Sequence, residues 1–387
     1  MTSMYVHQPF HFYVPVEANI CAAYSLIVQA EFDRIYLQAQ AGSYAGEYDF
    51  GFDLYRSMQH VHDGHFVYYP DSVTLIFSFA RSMPLVSVSL DGMSLPEVYV
   101  YADVLAMVMN NATFTPSPLT MINGQDSTKW LLDFSENGSL QDRDALWNNM
   151  FWINAQVSLG PRGTGPGTFA GGGRGRWIYP GANTTLTFAN GSTVTTENYA
   201  NVLSPFRGIQ NGADLRKKYF TAAYKEEEPA ITLAMSSSTV PSSSSAAPTM
   251  TVTTTTATLP APGYPTPVIR EMNNLNSGYF LEGEGYDDVA VLSVPSFVGL
   301  GTDELDFQQV NTYLINQAVA AGKTKLIIDV SANGGGTILQ GYDLFKQLFP
   351  SILPDGYTRF RAHEVSARRS LTFASILDRD GGCQLMM

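Results

Sequence analysis

Two stretches of this chain hold residue types that could do chemistry, and they lie far apart. The first is His60-Val61-His62-Asp63-Gly64-His65-Phe66. Histidine is the side chain best matched to moving a proton near neutral pH. His65, after the Gly64 turn and beside apolar Phe66, is the candidate for a positioned general base. His60 and His62 read as exposed residues at a helix end. With Asp63 their alternation could instead chelate a metal, but the other histidines are His7, His11 and His363, and no Cys or His cluster completes a ligand set. The second stretch is Asn333-Gly334-Gly335-Gly336. Leu326 to Val330 precede it as an apolar run of the kind buried in the middle of a parallel sheet. Ile338, Tyr342, Phe345 and Phe349 follow at helical spacing. A strand, a glycine turn and a helix N-terminus present backbone N–H groups that stabilise a bound anion or a transient oxyanion.

The elements that must position these stretches can be read in outline. Ala22, Leu26, Ala30, Asp33 and Leu37 recur at helical spacing, and a second helix through Phe50, Leu54 and Met58 leads into the histidines. Val67 to Tyr69, Val73 to Phe79 and Leu85 to Leu90 read as strands. Ile122-Asn123-Gly124 followed by Thr128 to Leu132 reads as strand, tight turn and short helix. Thr164 to Gly175 is glycine-rich without a preceding strand or a following Gly-Lys-Ser/Thr, so a flexible loop is expected and not a phosphate cradle. Thr184 to Val194 is a hairpin around Asn190-Gly191. Ser236 to Thr258 is mostly Ser, Thr, Pro and Ala, too polar to offset its own ordering entropy, and Pro260 to Pro267 extends it as a stiff spacer. Order returns with a strand at Val289 to Phe297. A helix capped at Thr302-Asp303 follows, with the stripe Phe307, Val310, Leu314 and Ala318, and it ends at Gly322. Strand, helix, strand and helix with short connections imply parallel strands and a crossover.

Bulk composition narrows the function. A chain of 387 residues, 45% hydrophobic, can hold two or three domains. A net charge of -13 argues against nucleic acid or an anionic membrane as partner. Cys21 and Cys383 lie at opposite ends and define neither a disulfide framework nor a zinc site. No cofactor is expected. The first residues lack the basic and apolar regions of a signal peptide, yet N-glycosylation sequons occur at Asn111, Asn137, Asn183 and Asn190. Location and oligomeric state stay open.

The strand Ile327 to Ala332 with Asn333-Gly334-Gly335-Gly336 and its helix resembles the core motif of the S41-type serine peptidases, the tail-specific or C-terminal processing peptidases. The segment Glu47 to Phe66, EYDFGFDLYRSMQHVHDGHF, is similar to that of the fungal and chlamydial-protease-like branch. Ile122-Asn123-Gly124 and Gln141-Asp142-Arg143-Asp144-Ala145 resemble that branch's PDZ-like insert. The resemblance implies a mixed α/β chain with a ClpP/crotonase-like core, after a helical N-terminal region and a β-rich PDZ-like module. The corresponding boundaries are 1–97, 98–224, a linker at 225–267, and an incomplete core at 268–387. It implies His65 as the catalytic base, Gly335 and Gly336 as backbone oxyanion donors, and a peptide or protein substrate. Branch members accompany fungal clusters for ustiloxin- and phomopsin-type ribosomal peptide mycotoxins, so precursor-peptide processing is the implied role.

The family's serine belongs at a small-residue turn one crossover further on. Ser351, Ser366, Ser370 and Ser375 do not sit in such a turn, so the nucleophile is expected to be missing, with the core short by about a hundred or more residues. The alternative is a catalytically dead pseudo-peptidase or a peptide-binding protein that uses its PDZ-like module. A nucleotide-binding reading of the glycine turn fails for want of the G-x-G-x-x-G spacing.

Overall fold

A computed structural model describes residues 20–89, 91–157, 165–221, 264–299 and 301–354. The Ser/Thr-rich segment therefore lies outside the described residues. The chain divides into two compact units, Met1–Gly336 and Thr337–Met387.

The first unit opens with α1 (Ile20–Gln40) and α2 (Glu47–Gln59). They are tied by a two-pronged ion pair: Arg34 Nη1 and Nη2 donate to the two carboxylate oxygens of Asp53 at 2.8 and 2.9 Å. The short α3 (Asp71–Thr74) leads to β1 (Phe77–Ala80), β2 (Leu85–Val88) and β3 (Glu97–Val100). Val67 to Tyr69, read as a strand, is not one, and the run from Val73 splits between α3 and β1. After α4 (Tyr101–Val108) come β4 (Leu119–Ile122), β5 (Gln125–Asp126), α5 (Ser127–Ser135), α6 (Arg143–Asn148) and α7 (Asn154–Val157). A 3-10 turn at Gly173–Trp177 precedes β6 (Asn183–Phe188), β7 (Thr193–Glu197), β8 (Tyr199–Val202) and α8 (Gly212–Tyr219). Local sequence explains several helix starts. The carboxylates of Asp126 and Asp142 and the amide oxygen of Asn211 each accept a first-turn backbone N–H.

These strands form small antiparallel sheets, β5-β4-β6-β7, β2-β3 and β1-β8. Leu85, Val98, Leu119, Ile122, Leu131, Leu186 and Phe188 make one core with Met150, Phe151 and Phe169. Phe169 corrects the flexible-loop expectation. The described part of the glycine-rich segment is packed, with Phe169 fully buried. A Cβ at Gly167 would strike the Phe151 carbonyl, at Gly171 that of Phe79, and at Gly175 that of Thr168. Here glycine serves backbone-to-backbone approach.

Arg81 pins this segment from below. Its Nη1 donates to the Phe169 carbonyl at 2.5 Å, and its guanidinium stands 4.7 to 5.1 Å from the ring centres of Phe169, Phe134 and Trp130. Burial pushes its pKa down to about 10, so it stays charged at neutral pH. Desolvated cation–π contacts are worth about 2 kcal/mol or more, so Arg81→Ala is expected to cost about 2–4 kcal/mol, measured by urea unfolding.

The unit closes with β9 (Ile269–Arg270), β10 (Ser277–Phe280), β11 (Val289–Ser293), α9 (Asp303–Ala320) and β12 (Lys325–Asp329). The sheet order is β12-β11-β10-β9. β12 runs parallel to β11, from Val289 opposite Lys325 to Ser293 opposite Asp329, so β11-α9-β12 is the expected crossover unit. α9 buries Phe307, Val310 and Leu314, as its stripe predicts, together with Asn311. Thr302 holds the N-cap position, but its hydroxyl makes no capping bond.

Among the described residues, the run expected in the middle of the sheet lies at its edge. Leu326, Ile327, Ile328 and Val330 are 40 to 54% exposed. An apolar run encodes a preference for burial, not a place in the strand order; among the described residues β12 pairs with β11 alone. Ile327→Thr should therefore shift stability by no more than about 0.5 kcal/mol. Leu292→Ala, at a fully buried position of β11, should cost about 2–5 kcal/mol. Chemical denaturation of both variants checks the contrast.

In the second unit the described element is α10 (Ile338–Leu348), and Lys346 Nζ closes its end on the carbonyls of Pro350 and Ile352.

Candidate active site

The histidine segment leaves α2 through a tight sequence of turns. The His62 N–H donates to the Gln59 carbonyl at 2.9 Å, and His62 has a left-handed φ of 54°. Asp63 shapes the next turn: one carboxylate oxygen accepts the His65 backbone N–H at 2.8 Å. Asp63 therefore orients the backbone at His65, not its ring. The His65 side chain is exposed, and its ring has no hydrogen-bond partner among the described residues. His62 Nε2 lies 3.4 Å from Glu136, while its Nδ1 is buried without a partner. Burial, then Arg56 and His62, lower the pKa of His60. His60 and His62 join no group of three metal-ligating side chains among the described residues.

Arg174 holds this loop in place. Its Nη2 donates to the Gly64 carbonyl and its Nη1 to Gln59 Oε1, both at 2.9 Å, and a further bond reaches Ser139. Its guanidinium also lies 5.8 Å from the Tyr69 ring centre. The arginine comes from the 3-10 turn, so the packed glycine-rich segment braces the loop that carries His65. Nothing in the pattern of residues around Arg174 signals this role.

The glycine turn is built around Asn333. Its Nδ2 donates to the Val294 carbonyl at 2.7 Å, and its Oδ1 accepts the Gly335 N–H at 2.7 Å. The Gly335 carbonyl accepts the Phe297 N–H at 3.0 Å, and Gly336 bridges to Phe297. Gly335 and Gly336 have φ of 94° and 142°, and a Cβ on Gly336 would collide with the Phe297 carbonyl. The Gly335 N–H is thus engaged, and the Gly336 N–H, on an exposed residue, has no acceptor among the described residues. Sequence reasoning passed over Asn333, although an Asn opening a glycine run is a signal for such a side-chain-to-backbone turn.

His65 and the turn are each held by their own surroundings, and none of these bonds joins the two. Ser351 is exposed in a turn after α10, while Ser366, Ser370 and Ser375 lie outside the described residues. Of the sequon residues, Asn111, Asn183 and Asn190 are exposed. Asn137 is half-buried, and its Nδ2 donates to the Phe134 carbonyl. No helix among the described residues is long and apolar enough to cross a membrane.

The CPAF-like PDZ domain family matches residues 78–207, the stretch holding β1 to β8. Peptidase S41 family protein phomP1' of Diaporthe leptostromiformis is 33% identical over 336 residues, 86% of this chain and 48% of that protein. Peptidase S41 family protein phomP1 of the same fungus is 32% identical over the same lengths. Peptidase S41 family protein ustP of Aspergillus flavus is 31% identical over 207 residues, 52% of this chain and 39% of that protein. This chain is a relative of the S41-family peptidases. It spans about half the length of the phomP1 proteins it matches. The S41 resemblance thus stands, and so does the PDZ-like module in a mixed helix-and-strand chain.

Proposed function

We propose that this chain supplies the base, the oxyanion turn and a peptide-holding module of an S41-type serine endopeptidase that processes a precursor peptide. In this reading β11-α9-β12 and the turn after it belong to a ClpP/crotonase-like core. His65 takes the proton from an attacking serine hydroxyl and returns it to the leaving amine. As the carbonyl π electrons move onto oxygen, the Gly336 N–H donates to that oxygen, while Asn333 fixes the turn through Gly335. The exposed His65 ring and the unengaged Gly336 N–H are both open to a peptide. The observation that carries the reading is the 86% of this chain aligned with a peptidase. The fungal mycotoxin setting rests on the branch that the resemblance names.

The attacking serine has no assigned position in this chain. Sequencing the full transcript tests that point: continuation into a small-residue turn bearing Ser supports the peptidase, and a natural stop after Met387 contradicts activity for this chain. A second reading, a peptide-binding protein without catalysis, is favoured by the His65 ring, which has no orienting partner of the kind a Ser-His pair needs among the described residues.

A further inference from the structure

Glu271 is 2% exposed, in the turn between β9 and β10. Its Oε2 accepts the N–H groups of Asn273 and Leu275 at 2.7 and 3.0 Å, while its Oε1 is buried without a partner. Asp303 and Asp306, in the first turn of α9, each bring a carboxylate oxygen so that one oxygen from all three residues lies within 4.8 Å of the others. In the same turn as Glu271, the Asn274 Oδ1 is also buried without a hydrogen-bond donor. Three carboxylates this close repel one another, and a buried one with an orphaned oxygen is the costliest member.

We propose that Glu271, Asp303 and Asp306 bind a calcium ion at the N-terminus of α9. Calcium takes oxygen ligands at about 2.3–2.6 Å, so two of its ligands stand at most about 5 Å apart, which accommodates this triangle. Magnesium demands near-ideal octahedral geometry and gives up its waters reluctantly, which suits it less to a cluster of protein carboxylates. The ion supplies the missing partner of Glu271 Oε1. Burial raises the pKa of Glu271, with Asp303 and Asp306 adding to it. Without a cation that shift favours a proton on Glu271, which is the competing occupant.

The position has a structural consequence. A Cβ at Gly299 would stand 3.2 Å from the Cβ of Asp303 and 3.3 Å from Leu275, so the segment after β11 runs against this cluster. That segment carries Phe297, which clamps Gly335 and Gly336. Calcium at α9 braces the support of the glycine turn.

Calorimetric titration of calcium into the chelator-treated full chain, with thermal melts, tests this. Expected are one site with Kd between about 10⁻⁶ and 10⁻³ M, and a melting rise of about 3–5 °C at a hundredfold excess over Kd. Magnesium should bind at least about tenfold more weakly, and Asp306→Asn and Glu271→Gln should each weaken calcium at least about tenfold. Asp306 is exposed, so that variant keeps its fold whatever becomes of Glu271→Gln. No heat and no melting shift at 10 mM calcium, on the order of ten times the weakest such sites, overturns the proposal in favour of the shared proton. Equal response to magnesium, or binding unchanged in Asp306→Asn, overturns it in favour of screening of an acidic surface.

Discussion

Gly336→Ala should destabilise the first unit by about 3–5 kcal/mol. Two costs combine. The φ of 142° lies where a side chain is strained, and the new Cβ would meet the Phe297 carbonyl with no flexible atom to give way. Gly335→Ala is the control. It has a φ of 94° but open space around its Cβ position, and its N–H bond to Asn333 survives the change. Its cost should stay at about 1–3 kcal/mol. Urea unfolding of the two variants, read against wild type, separates clamp from strain. Equal losses would show that Phe297 yields and that the turn is not held from the segment after β11.

His65→Ala should leave the melting temperature unchanged and lower peptide cleavage by at least about 10²–10⁴-fold in protein made from the full transcript. The stability half follows from exposure: the His65 side chain is exposed and makes no hydrogen bond among the described residues, and the Asp63 bond is to its backbone. The activity half follows from its proposed role. His62→Ala should be tolerated in activity, because His62 faces Glu136. Parallel loss of activity in both variants would move the base away from His65 and leave the segment as a scaffold.

Much of this was legible in the residues, for identifiable reasons. The crossover β11-α9-β12 follows from the Phe307, Val310 and Leu314 stripe and from Gly322, because helical periodicity and a glycine stop are local signals. The hairpin at Asn190-Gly191 is local in the same way. Placement of β12 at a sheet edge was not legible, since Leu326 to Val330 would read the same in a central strand. The packed glycine segment was misread because composition cannot separate glycines that loosen a chain from glycines that let backbones touch. The difference lies in Phe151, Phe79 and Thr168, remote or unmarked in sequence. At the candidate site, His65 and the glycine turn could be found from residue types. The brace by Arg174 joins positions 110 residues apart, which no local pattern reports. The role of Asn333 was within reach, because its partners are Gly335, two residues on, and the neighbouring strand's end.

The central claim is that this chain belongs to a centre that cuts peptides and does not merely hold them. Mass spectrometry of a defined peptide mixture, incubated with the protein made from the full transcript, tests it directly. The account predicts internal cleavage products that accumulate with time and vanish in His65→Ala. Peptides that bind and are recovered intact would contradict it, and would leave the PDZ-like module as the working part of the molecule.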